Sequence, residues 1–314
     1  MGSTLDPVAG AVLPVFGLVA CGYLAGRAGL VTQASSAALN QFVYAFALPA
    51  MLFIAVYRGS LDEILSSGGF VGAVILATVG TALAGFALSH FAAGAPPAES
   101  TLRALNASFA NTGYLGIPLV TMAYGERAAL PAALATVATN FVSFALAIVC
   151  LELFVNPHRG GVRRALLGVV RSPLIWPVVL AIFFVGFEIG LPLPVDRFAT
   201  LLAAAAGPCA LFAIGLFVSQ LSIRAGAAAS WQSSVLKLAL HPILMALLAY
   251  QVFAIDPFWA KIAVVCASLP LGATAFVLAQ RYRLLEAETS TGAVVSTVAS
   301  VLTVSLVMAL LASR

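Results

Sequence analysis

Apolar residues occupy ten long blocks of this chain, about 8–25, 37–57, 69–91, 101–123, 131–155, 173–190, 200–220, 234–255, 259–280 and 291–312. Each block is near the roughly 20 residues that a helix needs to cross a bilayer. None alternates apolar and polar positions as barrel strands of roughly ten residues do. Lipid offers the backbone no hydrogen-bond partner, so each block is predicted to be helical. Small residues recur, as in 22–26 (GYLAG) and 202–207 (LAAAAG), and these favour close helix packing.

Composition sharpens this into an all-α integral membrane protein. Of 314 residues, 62% are apolar and 8% charged, whereas soluble domains carry about 25% charge. That excludes a water-soluble fold, a disordered chain and a nucleic-acid module. Residues 1–14 carry no positive leader region and no cleavage pattern, so the first block reads as a retained span. Cys21, Cys150, Cys209 and Cys266 each stand alone in an apolar run, which implies packing and neither metal nor disulfide.

The basic residues set orientation. Arg27, Arg103, Arg159, Arg163, Arg164, Arg171, Arg224, Lys237, Arg281 and Arg283 fall on one side. Arg58, Arg127, Arg197, Lys261 and Arg314 fall on the other. The richer side is expected to be cytoplasmic, with both termini extracytoplasmic. The largest cluster lies in a basic linker, 156–172, between a first unit, 1–155, and a second, 173–314. It is a topology anchor in this reading.

The two units resemble each other. Pro49–Phe53 (PAMLF) answers to Pro208–Phe212 (PCALF) at an offset of 159. Gly22–Gly26 answers to Gly186–Gly190 at 164, and Pro118–Leu119 to Pro270–Leu271 at 152. Five spans per copy is an odd number, so the second copy sits upside down: a 5+5 inverted repeat.

Spans 4 and 9 carry the candidate chemistry. Span 4 reads NTGYLGIPL from Asn111 to Leu119, and span 9 reads SLPLGATAF from Ser268 to Phe276. Proline removes an N–H and clashes with the preceding turn, while glycine permits non-helical angles. Both helices are therefore predicted to break, freeing backbone groups to line a cavity. Half-helix N-termini suit a carboxylate. The candidate substrate-binding residues are Asn111, Thr112, Gly113, Gly116, Pro118, Pro270, Gly272 and Thr274, with Asn140 of span 5 facing either the cavity or a neighbouring helix. Lys237 and His241 share a helix face, being four apart, and form a candidate cytoplasmic gate to which Glu152 can pair.

NTGYLGIPL resembles the NTxxxGIPL signature of the auxin efflux carrier family, which includes the plant auxin carriers and bacterial relatives. SLPLGATAFVLAQRY with STGAVVS (Ser290–Ser296) resembles its LPxG…PFVFAxxY…LSTGVI region, and GPCALFAIGLF (Gly207–Phe217) its GxxMAMFxLGLF segment. The resemblance implies a fold like that of bile-acid/sodium symporters, with spans 4 and 9 crossing at Pro118 and Pro270. It implies a scaffold of spans 1, 2, 6 and 7 that dimerises, and an elevator-like transport domain of spans 3–5 and 8–10. It also implies organic-anion substrates, auxin in plants and malate or malonate in bacteria, with the crossover asparagine at Asn111. The long cytoplasmic loop of many plant members is absent here.

No Asp or Glu lies near the middle of any span, which disfavours a paired-carboxylate ion site. No HExxH, paired aspartate or Ser/His couple occurs in mid-span, so the chain is not expected to be an enzyme or to hold a cofactor. The reading is a homodimeric secondary carrier of small organic anions in a bacterial inner membrane. The alternative is an anion or solute channel.

Overall fold

The structure is a computed structural model that describes residues 5–155, 172–221 and 227–312. The linker arginines Arg159, Arg163, Arg164 and Arg171 lie outside the described residues, as do Arg224 and Arg314. The chain is an all-α, membrane-spanning protein. Among the described residues, seven helices are long and apolar enough to cross a bilayer: α1 (Leu5–Arg27, apolar over Ala9–Arg27), α2 (Gln33–Tyr57), α4 (Gly68–Ala92), α7 (Glu126–Val155), α9 (Leu193–Gln220), α10 (Ser230–Val252) and α13 (Glu286–Ala312). The others are a surface helix α3 (Leu61–Ser66), the pair α5 (Pro97–Ser108) and α6 (112–124), α8 (Ile175–Gly186), and the pair α11 (Pro257–Ala267) and α12 (Thr274–Tyr282). Leucines such as Leu13, Leu201 and Leu302 stand about 70% or more exposed on these rods, as side chains facing lipid do.

Local sequence explains where helices start and widen. Ser60 and Glu63 form a capping box on α3, and Asp256 caps α11 at the N–H groups of Phe258 and Trp259. Three mid-helix π turns sit directly ahead of a proline. Leu48 N–H donates to Val43, Ile117 to Thr112, and His241 to Leu236, and the next residues are Pro49, Pro118 and Pro242. A proline ring clashes with the carbonyl four residues back, and the wider turn moves that carbonyl aside. Two further π turns end α4 and α10 with the same pair of bonds. Ala93 N–H donates to Leu88 O and Ala95 to Ser89 O; Phe253 donates to Leu248 O and Ile255 to Ala249 O. Each bond recurs 160 residues further on (Ala95 to Ile255).

The sixth apolar block is shorter as a helix than its sequence predicts. Where 173–190 is apolar, α8 covers only Ile175–Gly186, because Glu188 turns left-handed (φ 52) and Ile189 N–H closes back on Phe184 O. It packs on α2, with Phe53 and Phe184 edge to face at 6.0 Å and Leu191 N–H donating to Tyr57 Oη at 2.9 Å.

α1 and α9 approach to backbone contact. A Cβ added at Gly22 would stand 2.9 Å from the Phe212 carbonyl carbon, and one at Gly215 would stand 2.5 Å from Tyr23 N. The two backbones touch, which only glycine permits. α5 is tied to α13 by Arg103, whose Nε and Nη2 donate to the Glu288 carboxylate at 2.9 and 3.0 Å, and by Asn106 Nδ2 on Thr289 Oγ1. Replacing Gly215 with Val should force α1 and α9 apart at a cost of about 1–3 kcal/mol. The expected readout is a lower thermal-unfolding midpoint in detergent, with Gly10→Ala, which meets nothing within 4 Å, as the neutral control.

Candidate functional site

Two interruptions meet in the middle of the molecule. α5 ends at Ser108, and the chain runs extended through Phe109 to Asn111 before α6 begins. α11 ends at Ala267, and residues 268–273 carry the chain to α12. Ala110 and Leu271 form an isolated antiparallel bridge. Asn111 N–H donates to Pro270 O at 2.9 Å, and Gly272 N–H donates to Phe109 O at 3.2 Å. Each interruption thus satisfies backbone groups that the other leaves open, as a low-dielectric interior requires. Leu271 N–H is taken by Ser296 Oγ of α13 at 3.1 Å.

Glycine is needed here on packing grounds. A Cβ on Gly272 would lie 2.9 Å from Cδ1 of Phe109, and one on Gly116 would lie 2.7 Å from Leu269 Cδ1. Gly113 is less tight, 3.3 Å from Thr136 Cγ2.

The half-helices present donors at the crossing. Asn111 O accepts from Leu115 and Gly116, while Ala275 and Phe276 close back on Gly272 and Ala273. No backbone carbonyl takes the N–H groups of Gly113 and Tyr114, or those of Ala273 and Thr274. The Asn111 side chain caps no N–H, although the residue is only 7% exposed. Thr112 Oγ1 is buried with no partner. These are the groups an anion can claim.

A buried cation stands beside them. Lys237 is fully buried and donates from Nζ to Ala267 O at 2.7 Å. It also lies 3.0 Å from His241 Nδ1. An ammonium has no lone pair, so a charged Lys237 makes Nδ1 the acceptor and assigns the ring proton to Nε2. Ala267 O is the last carbonyl of α11, so Lys237 Nζ sits at the negative end of that half-helix, where its charged form is favoured. No carboxylate accompanies it among the described residues. Thr112, Thr139 and His241 line one small void between the crossing and this lysine.

The remaining sequence candidates fall as follows. Pro118 is not at the crossing, where span 4 was expected to break: the break falls at 109–111, and the π turn of α6 ahead of Pro118 accommodates its ring within the helix, which leaves it facing a cavity of about 670 Å³. Thr274 opens α12, half-buried. Asn140 bonds neither a cavity group nor a neighbouring helix: Nδ2 donates to Thr136 O on its own helix at 2.8 Å. Lys237 and His241 are together, as their spacing implies, but Glu152 is elsewhere, accepting from the Tyr282 hydroxyl at 2.7 Å. The pairing expected of Glu152 is replaced because α7 places its carboxylate against the end of α12. The cavity also has Arg58 and Arg127 on its wall, which the sequence offered only as orientation signals. Among the described residues no cluster of His, Cys, Asp or Glu is arranged to hold a metal, and the four cysteines are free.

Comparison with known proteins gives a consistent picture. Residues 7–308 match the family described as "Membrane transport protein". The chain is 36% identical to a "Putative malonate transporter" of Rhizobium meliloti, over 95% of this chain and 94% of that one. It is 25% identical to the "Uncharacterized transporter YfdV" of Escherichia coli, over 87% and 88%. An "Uncharacterized transporter" of Methanothermobacter thermautotrophicus is 27% identical over 89% and 88%.

The crossing itself yields a stability test. Gly272→Ala should push Phe109 aside and break the Gly272–Phe109 bond, costing about 1–3 kcal/mol. The expected result is a lowered thermal midpoint with faster amide exchange at residues 271–273, whereas Gly292→Ala, whose nearest neighbour is at 3.6 Å, leaves both unchanged.

Proposed function

The chain belongs to the membrane transport protein family, and from that premise we propose that it is a secondary carrier of small organic anions, with malonate-like carboxylates as the first candidates. The crossing carries this reading. Four N–H groups with no backbone acceptor among the described residues, the Asn111 carboxamide and the Thr112 hydroxyl lie along the two interruptions, and Lys237 bonds the end of α11 beside them. Charge-assisted bonds to a carboxylate are roughly twice as strong as neutral ones. A carrier needs such a site to be complete only when the anion is present.

The architecture we infer has ten spans: the seven long helices, α8, and the two interrupted rods α5/α6 and α11/α12. The recurrence of the terminal π-turn bonds 160 residues on, and of an interruption in the fourth and ninth spans, supports a 5+5 inverted repeat, 1–155 and 173–314. In this proposal α1, α2, α8 and α9 form a scaffold through which two copies dimerise. The helices of spans 3–5 and 8–10 form a transport domain that moves the crossing past it. The surplus of basic residues on the Arg27 side supports a cytoplasmic assignment for that side in a bacterial inner membrane, with both termini outside in this proposal.

Purified protein in vesicles should show saturable counterflow of labelled malonate or another small carboxylate. Unsaturable, channel-like current would overturn the proposal. Asn111→Ala should weaken anion binding by at least about tenfold, because a hydrogen bond to a charged group is worth about 1.5–3 kcal/mol. Its thermal midpoint should stay near wild type, since the carboxamide holds nothing in the fold. Unchanged affinity by calorimetry would remove Asn111 from the site.

A further inference from the structure

The cavity beside Pro118 has a chemistry of its own, and the inference drawn from it rests on the carrier reading above. Its volume, about 670 Å³, is in the range of small-molecule sites. Its two walls belong to different groups of helices. Met51 and Ala55 of α2 with Ala204 and Gly207 of α9 make one; Pro118 and Met122 of α6 make the other. Ile117 and Pro118, which also line the cavity, come straight after the π turn that opens at Thr112, so α6 runs from this wall back to the crossing.

The throat is apolar and the charges stand at the rim. Four charged residues line it: Arg58, Glu63, Glu126 and Arg127. The Glu63 carboxylate is occupied, accepting from Ser60 N–H at 3.0 Å and from Ser60 Oγ at 3.1 Å. The Arg127 guanidinium lies 4.0 Å over the Phe258 ring. Glu126 is exposed at the turn between α6 and α7. Arg58 donates to Thr200 Oγ1 at 2.9 Å and stands 3.7 Å from Asp196 Oδ1, with half its side chain exposed. At that separation and exposure the ion pair is weak. Thr200 and Asp196 are both on α9, so they aim the guanidinium from the α2–α9 wall without using up its donors, and an Arg fork suits a carboxylate.

We propose that this cavity is the access vestibule for the carried anion and that Arg58 is its carboxylate-capture residue. The ligand is a small organic carboxylate with a compact carbon skeleton. Its carboxylate docks on the Arg58 fork, its skeleton lies along the apolar throat, and it passes Pro118 to reach the crossing.

Met122, half exposed in the cavity, gives a reporter that needs no knowledge of the substrate. In Met122→Cys protein, the rates of modification by an anionic (sulfonatoethyl) and a cationic (trimethylammonioethyl) methanethiosulfonate are compared. Labelling of the chain without that cysteine is subtracted. Arg58→Gln should lower the anionic-to-cationic rate ratio about tenfold, while Arg58→Lys, which keeps the charge, should hold it. Malonate should slow the anionic reagent when Arg58 is present. That protection should weaken in Arg58→Lys, which loses the fork, and vanish in Arg58→Gln. In uptake, Arg58→Gln should raise the KM for malonate offered from the Arg58 side about tenfold, with a much smaller fall in kcat. A rate ratio indifferent to Arg58→Gln overturns the vestibule. Protection equal in all three chains overturns carboxylate capture. Malonate that neither protects nor binds the chain with intact Asn111 counts against the carrier's substrate instead, and the rate ratio still decides on Arg58.

Discussion

A peptide group inside a bilayer has no water to fall back on, and the centre of this molecule is arranged around that constraint. Two helices stop in the buried middle of the molecule. They are tolerable because their loose ends pair with each other: Asn111 N–H with Pro270 O, and Gly272 N–H with Phe109 O. The pairing is a fragment of antiparallel sheet in an otherwise helical protein. It settles only part of the open backbone, and the donors left over are those that the proposed carrier would turn toward its anion.

Symmetry and charge part company at the crossing. The backbone treats the two interrupted rods alike, but only α11 has a lysine on its terminal carbonyl. A buried ammonium held by a neutral imidazole and one carbonyl is poorly compensated, because burying a charge costs several kcal/mol unless a counter-charge is near. In the proposed carrier an arriving anion supplies that counter-charge. Arg103 on the other half is already satisfied by Glu288 and keeps α5 fixed to α13.

Much of this was legible in the residues. Proline with glycine announced the interruption of span 9, where Pro270 and Gly272 lie inside the break, but in span 4 the chain breaks at 109–111 and Pro118, expected at the crossing, stands within α6 behind a π turn that absorbs its ring. Local chemistry of that kind reads well from one dimension. The lysine did not: its partner Ala267 is 30 residues away, and a carbonyl carries no sequence signal. Its spacing from His241 identified the pair but suggested a place near the membrane surface, whereas both are buried. Glu152 and Asn140 were read as seeking distant partners. One found Tyr282 and the other its own helix, choices set by rotation about the helix axis that composition cannot express. The length of α8 was missed because the chain stays apolar past Gly186 while its backbone turns.

The wide turns ahead of Pro49, Pro118 and Pro242 have a consequence for how such chains vary. Each holds one residue more than a regular turn, so everything beyond it is rotated by about 100° against an unbroken α-helix. A lipid-facing stripe traced with a single period through α2 or α10 therefore changes side at the proline. Losing one residue together with the ring would restore the phase without shifting either end of the rod by more than about 1.5 Å. Each of these three turns is thus a place inside a helix where the chain can lose a residue without moving a loop.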